Sequence, residues 1–375
     1  MQKGIKYSLI LAALTLTIAC KETKEEKEET AWLGTFTKPD QNPILKPDST
    51  YTFKDPLTDS IVHWQQADVF NPAAIVKNDT VFMLFRAEDN PDAILGRRTS
   101  RIGLAYSTNG MDFTRYPEPV VYPDSSATLK WEYPGGIEDP RVVERPDGTY
   151  VMLHTSWDNE TARLSAASSK DLKNWTKHGP VFQKSHDSKY LNEWSKSGSV
   201  VTKMENGRLI AAKINEKYWM YWGEKFVNAA WSDDLIEWTP TLDQNGELLK
   251  SMVTRDKKFD SDLVEPGPPA LLTEDGIILM YNGRNSENDE LTDPEHGKGG
   301  YCGGQALFDA QDPTKFIERM DAPFICPSLP HETSGQYASG TTFVEALVYF
   351  KDQWFLYYGT ADSMVGVAVS EKKTK

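Results

Sequence analysis

The feature that most constrains this chain is an internal repeat. Five segments share one shape: a short apolar strand, a tight polar turn, and a second strand rich in Tyr, Phe and Met. They are PAAIVKNDTVFMLFRAED, RVVERPDGTYVMLHTSW, LIAAKINEKYWMYWGE, PALLTEDGIILMYNGRN and EALVYFKDQWFLYYGTAD, with turns centred on Asp79, Gly148, Glu216, Gly276 and Asp352. The first three are each followed by an alternating strand ending in Ser, a turn, and an aromatic: Ser107 to Phe113, Ser169 to Trp175, and Ser232 to Trp238. A fourth copy, around Phe308 to Phe316, is degenerate, and the fifth, GVAVSE, stops near the chain end. Hairpins recurring at a long, near-constant spacing mean repeated β units that bury their faces against one another. Five such units of about four strands each predict an all-β chain, a five-bladed β-propeller. The last unit lacks its outermost strand, and residues between 32 and 60 are expected to supply it and so remove an open edge. No amphipathic helical pattern of useful length is visible. Residues 184–206 read as an insertion before the third unit. Residues 285–300, rich in Gly and charge, read as a loop over one face of the fourth.

The N-terminus is a different kind of sequence. Lys3 and Lys6 precede an apolar run from Leu9 to Ala19 that ends at Cys20. This is the layout of a secretory signal, too short for a membrane span. Leu16-Thr17-Ile18-Ala19-Cys20 is similar to a bacterial lipobox, whose cysteine is lipidated after cleavage. The reading is therefore a signal peptide over 1–19, a lipidated Cys20 with a charged tether over 20–31, and one catalytic domain over 32–375. The tether KETKEEKEET carries no apolar residue and cannot bury anything. It also resembles the acidic surface-export signal of Bacteroidetes lipoproteins. An exported lipoprotein of the outer membrane is expected, on its periplasmic face or at the cell surface.

The formal charge of −14 becomes more negative once Lys3 and Lys6 are removed, which excludes nucleic acid as a natural partner. Cys302 and Cys326 could pair in an oxidising compartment or remain two buried thiols. No Cys/His cluster suggests zinc, and nothing in the residues calls for a cofactor or metal. The chain holds 11 Trp and 16 Tyr, whose flat faces suit the C–H faces of sugar rings.

In a propeller, the loops before each innermost strand and after the second strand lie on one face. The residues flanking the repeats should therefore converge there. They are Asn71, Arg86, Glu88 and Asp89; Glu138, Asp139, Arg141, His154 and Trp157; Lys213, Trp222 and Glu224; Glu265, Asn282 and Arg284; and Gly340, Thr341 and Asp362. The set is dense in carboxylates. Some would pair with cations, such as Asp139 with Arg141 or Glu88 with Arg284. A convergence of at least five acids exceeds what a structural ring needs. Cleaving a glycosidic bond requires two carboxyl groups, about 6.5–9.5 Å apart for inversion and about 5 Å for retention. Glu224 and Glu265, on neighbouring units facing a shared channel, are natural partners at the wider spacing.

Gly136-Ile137-Glu138-Asp139-Pro140-Arg141 resembles the signature of glycoside hydrolase family 130. So do FNPAAI at Phe70–Ile75, FRAED at Phe85–Asp89, RIGLAYSTNGMDF at Arg101–Phe113 and YGTAD at Tyr358–Asp362. The resemblance runs in order over nearly the whole mature chain. It implies action on β-linked mannosides, either by phosphorolysis or, in a smaller Bacteroidetes subgroup, by inverting hydrolysis of β-1,2 linkages. Trp222-Gly223-Glu224 stands where the phosphorylases look like Leu-His-Arg, and Val264-Glu265-Pro266-Gly267 also matches the hydrolase pattern. The resemblance makes Asp139 the residue that contacts mannose in the cleavage subsite and competes with the two glutamates for the proton-donor role. It makes Arg86, Asp89, Arg141 and Asp362 sugar-hydroxyl binders, and Asn71, Glu138, Asn282 and Arg284 of the channel-facing set are candidate substrate binders beside them. Lys213 matches a family lysine and keeps phosphorolysis open.

The leading expectation is an inverting, exo-acting β-1,2-mannosidase. The competing ones are a mannoside phosphorylase, a non-catalytic glycan-binding lipoprotein, and a five-bladed enzyme cutting arabinosides or xylosides.

Overall fold

The computed structural model describes residues 32–93 and 97–372. The expected signal peptide, Cys20 and the whole of the tether over 20–31 lie outside the described residues. Its regular structure is nearly all strand, arranged mainly as five antiparallel sheets in chain order. The first pairs Asp68–Lys77, Thr80–Glu88, Ser100–Ser107 and Thr114–Arg115. The second pairs Gly136–Glu144, Tyr150–Trp157, Ala162–Ser169 and Trp175–Pro180. In the fourth, Leu263–Pro266 and Ala270–Leu272 together face Ile277–Arg284, followed by Tyr301–Phe308 and Phe316–Arg319. The fifth pairs Thr342–Phe350, Gln353–Thr360 and Met364–Ser370, and Phe36–Thr37 from the other end of the chain adds its outermost strand.

Local chemistry explains the repeat. The turns Asn78-Asp79, Asn215-Glu216 and Lys351-Asp352 have positive φ at both positions, the mirror-image turn that matches strand twist. Ser107, Ser169 and Ser232 each accept the backbone N–H of the residue three further on, at 2.9 Å, and so fold the turn between the third and fourth strands.

The third sheet departs from the expected pattern. Ser199 and Val200 pair with Tyr221 and Met220 as the start of its first strand, and Lys213–Ile214 resume that strand against Lys217–Tyr218. Between them a hairpin leaves the sheet, pairing Thr202–Glu205 with Arg208–Ala211. Its tip packs among Ala74–Val76, Val142, Val143 and Leu347–Tyr349, further along the first strands of other sheets. The insertion thus lies partly inside the first strand of the third sheet and not wholly before it.

Five apolar clusters fill the spaces between consecutive sheets. One joins Leu84 and Leu104 to Ile137 and Met152, and another joins Val348 and Tyr357 of the fifth sheet to Val69 and Phe85 of the first. Cys302 and Cys326 form a disulfide beside the fourth sheet.

Candidate active site

Each first strand carries an irregularity near its start. Pairing slips between Phe70 and Pro72, between Glu138 and Arg141, and between Val344 and Ala346. Asn71 and Asp139 sit in these bulges with φ of 48°, left out of the ladder. Proline follows Asn71, Asp139 and Glu265, and its missing N–H suits a place where the ladder is broken. A bulge re-aims its side chain, and these point to a common space. A cavity open to solvent is lined by Asn71, Arg86, Asp139, Lys196, Glu224, Glu265, Tyr301, Tyr337, Thr341, Phe343 and Asp362.

Asp139 is the most heavily bonded of the acids. Its Oδ1 accepts from Asn71 Nδ2 at 2.8 Å and from Arg86 Nη1 at 3.0 Å, and Lys196 Nζ lies 3.8 Å from Oδ2. Burial works to raise its pKa, but Arg86, Lys196 and the Asn71 bond outweigh it and hold the carboxyl well below the usual range. Arg86 also donates to Glu88 at 2.7 Å and Glu138 at 2.8 Å and lies over the Phe70 ring at 4.6 Å. Burial pushes the Glu138 carboxyl up despite Arg86. It also pushes Asp362 up to about 7, again against Arg86.

The two glutamates differ. Glu265 is buried and accepts the Ser197 hydroxyl. Burial raises its pKa to about 7, opposed by Lys196 and assisted by the charge of Glu224. Glu224 has 36% of its side chain exposed, takes the Trp194 indole N–H at 2.5 Å on Oε2, and faces Lys196 at 3.9 Å on Oε1. Lys196 stays an ammonium: burial alone would lower it, but Glu224, Asp139 and Glu265 raise it well above the ordinary lysine value. A buried carboxyl able to hold a proton near neutrality, across from a second carboxyl that is partly open to solvent, suits acid–base cleavage.

The structure brings Asn71, Arg86, Asp139, Glu224, Glu265, Thr341 and Asp362 together as expected. It places the other candidates elsewhere. Lys213 is exposed, its ammonium 5.0 Å from the Tyr218 ring centre, because the detour in the first strand moves the true start of that strand back to Ser199. Lys196 takes the cationic position instead. Asp89 is held by Arg101 at 2.6 Å and does not line the cavity. Glu138 stands behind Arg86. Arg141 is buried beneath the floor, donating to the carbonyls of Gly267, Asp139 and Pro266, and pairs with Glu345 at 3.1 Å, not with the Asp139 carboxylate. Asn282 ties the fourth sheet to the fifth through Val344 N and O. Arg284 sits at the rim, bonded to Asp262 and Glu287, so the expected pair with Glu88 does not form. His154 and Trp222 are buried in the sheets. Lys196, Ser197, Trp194, Tyr301, Tyr337 and Phe343 were not foreseen. The small residues of Ser197-Gly198-Ser199, just before an apolar pair, were the available signal for the first three.

An all-β chain whose sheets converge on a pocket of carboxylates, with one arginine, one lysine and several aromatics, is a carbohydrate-active enzyme. Comparison with known proteins names its family. The profile described as β-1,4-mannooligosaccharide phosphorylase matches residues 36–374, and the chain belongs to glycoside hydrolase family 130. It is 31% identical over 315 residues to the 1,2-β-oligomannan phosphorylase of Thermoanaerobacter sp. (strain X514), covering 83% of this chain and 92% of that protein. A crystal structure of a glycosyl hydrolase from Bacteroides ovatus superposes with a TM-score of 0.88 at 48% identity, over 91% of this chain and 95% of that one. Another structure, from work on family 130 glycoside hydrolases that target β-1,2 mannosidic linkages in Candida mannan, gives a TM-score of 0.89 at 47% identity over the same shares.

Proposed function

We propose that this chain is an inverting, exo-acting β-1,2-mannosidase built on a five-bladed β-propeller. The observation that carries the choice of water over phosphate is the state of the cavity's cations. Among the described residues, only Arg86 and Lys196 contribute positive charge to its lining. Arg86 already serves Glu88, Glu138 and Asp139, and Lys196 stands between Asp139 and Glu224. A phosphate dianion would meet engaged cations and the Glu224 and Glu265 carboxyls at close range, where screening is weak. Water has no such difficulty.

In this reading Asp139, kept charged, grips the mannose in the cleavage subsite with Arg86 and Asn71. Glu224, open to solvent, takes the proton of the attacking water. Glu265, which keeps its own proton up to about pH 7, gives it to the leaving oxygen. The hydrolases of the solved relative's subgroup support the β-1,2 linkage. The propeller reading is supported by the five sheets, the five inter-sheet clusters and the closing strand Phe36–Thr37.

The compartment fits. The signal-like N-terminus and the lipobox-like stretch ending at Cys20 support an envelope lipoprotein, and the Cys302–Cys326 disulfide suits an oxidising environment. An exported phosphorylase would release its sugar phosphate outside the cytoplasm. The test is turnover of β-1,2-mannobiose by purified protein with and without inorganic phosphate. Equal rates with mannose as product are expected. Strict phosphate dependence with mannose 1-phosphate as product would make the chain a phosphorylase, like its Thermoanaerobacter relative.

A further inference from the structure

One irregular segment holds both glutamates. Ser197 donates to Glu265, and Trp194 and Lys196 address the two oxygens of Glu224. The same segment fixes the turn that carries Glu224, since Gly223 N donates to the Lys196 carbonyl at 3.0 Å. Gly223 has φ of +124°, and a Cβ there would fall 2.2 Å from the Phe226 carbonyl, so this turn has one conformation to be fixed in.

We infer that Trp194 is a positioning residue for Glu224, and that its open ring face seats the sugar unit projecting from the cavity mouth. Glu224 has 36% of its side chain exposed, so packing alone does not orient it. Lys196 at 3.9 Å is too distant for a hydrogen bond. The indole N–H at 2.5 Å is a donor only and carries no charge. It therefore fixes the carboxylate without neutralising it. Trp194 is 47% exposed, although it packs against Trp157 with ring centroids 5.7 Å apart and planes at 71°. Much of its flat apolar ring is thus left open beside Glu224, the kind of surface that a pyranose C–H face matches.

The role rests on reading Glu224 as the group that activates the nucleophile, and the two ideas fail separately. Trp194→Phe keeps the ring and removes the N–H. It should lower kcat about tenfold to a hundredfold, the weight of one hydrogen bond to a charged group, with KM unchanged. It should also move the acid limb of the kcat/KM profile to higher pH, because the carboxylate has lost a donor. Trp194→Ala should add a rise in KM for mannobiose. Wild-type kcat and pH profile in Trp194→Phe would overturn the positioning role. Equal KM values in the two variants would overturn the platform. Glu224→Gln with undiminished turnover would instead remove Glu224 from the chemistry altogether.

Discussion

The Asp139 carboxylate and the Lys196 ammonium stand 3.8 Å apart across the cavity, one from the bulged start of the second sheet and the other from the irregular segment before the third. Lys196 is thereby shared between the acid that grips the sugar and Glu224. Lys196→Met should cut kcat/KM by about a hundredfold or more, since removing one partner of a buried ion pair costs roughly 3–5 kcal/mol and two carboxylates here lose their shared cation. Lys213→Met, on an exposed position over Tyr218, should leave activity unchanged. Steady-state kinetics of the two variants checks the pair.

Glu224→Gln and Glu265→Gln should each lose about 10²–10⁴-fold in rate, the usual weight of general acid–base catalysis. An aryl β-mannoside with a good leaving group needs no proton at departure. Glu265→Gln should regain most of its rate on such a substrate, and Glu224→Gln should not. Recovery by Asp139→Asn in place of Glu265→Gln would move the donor role to Asp139.

The pH dependence follows from Glu265. Its proton is held to about pH 7 by burial. Below that value the donor is charged with its proton, and above it the carboxyl ionises. The wild-type kcat/KM for mannobiose should therefore fall as pH rises through about 7. The residual activity of Glu265→Gln should lack that limb.

Asp362 bears on stability. Burial raises it to about 7 in the folded chain, above its ordinary value of 3.8. Its contribution is fully present below the ordinary value and is lost as pH rises through 7, because the unfolded chain then ionises it freely and the folded one does not. Thermal unfolding of Asp362→Asn should show a smaller drop in Tm than wild type between about pH 5 and about pH 8. Activity should be lost, because the carboxylate lines the site.

The fold was legible where the chain repeats its own local chemistry. The mirror-image turns favour Asn, Asp or Gly in at least one position, and the Ser-initiated turns use a hydroxyl, so both recur visibly. The acids of the site were legible because they flank those repeats. Asn71-Pro72, Asp139-Pro140 and Glu265-Pro266 even mark the broken ladders. Lys213 misled because the hairpin from Thr202 to Ala211 interrupts a strand, and period-2 alternation does not reveal which side of a detour starts the sheet. Lys196 and Trp194 lie in a segment with no period at all. Asp89 and Asp362 close their repeats in the same way, and only the third dimension gives Asp89 to Arg101 and Asp362 to the cavity.

The most direct test of water as nucleophile is proton NMR of β-1,2-mannobiose turnover in phosphate-free buffer, read in the first minutes before mutarotation. Free α-mannose appearing first, at a rate unaffected by added phosphate, is the result expected for inverting hydrolysis. β-Mannose appearing first, or no release until phosphate is supplied, would contradict it.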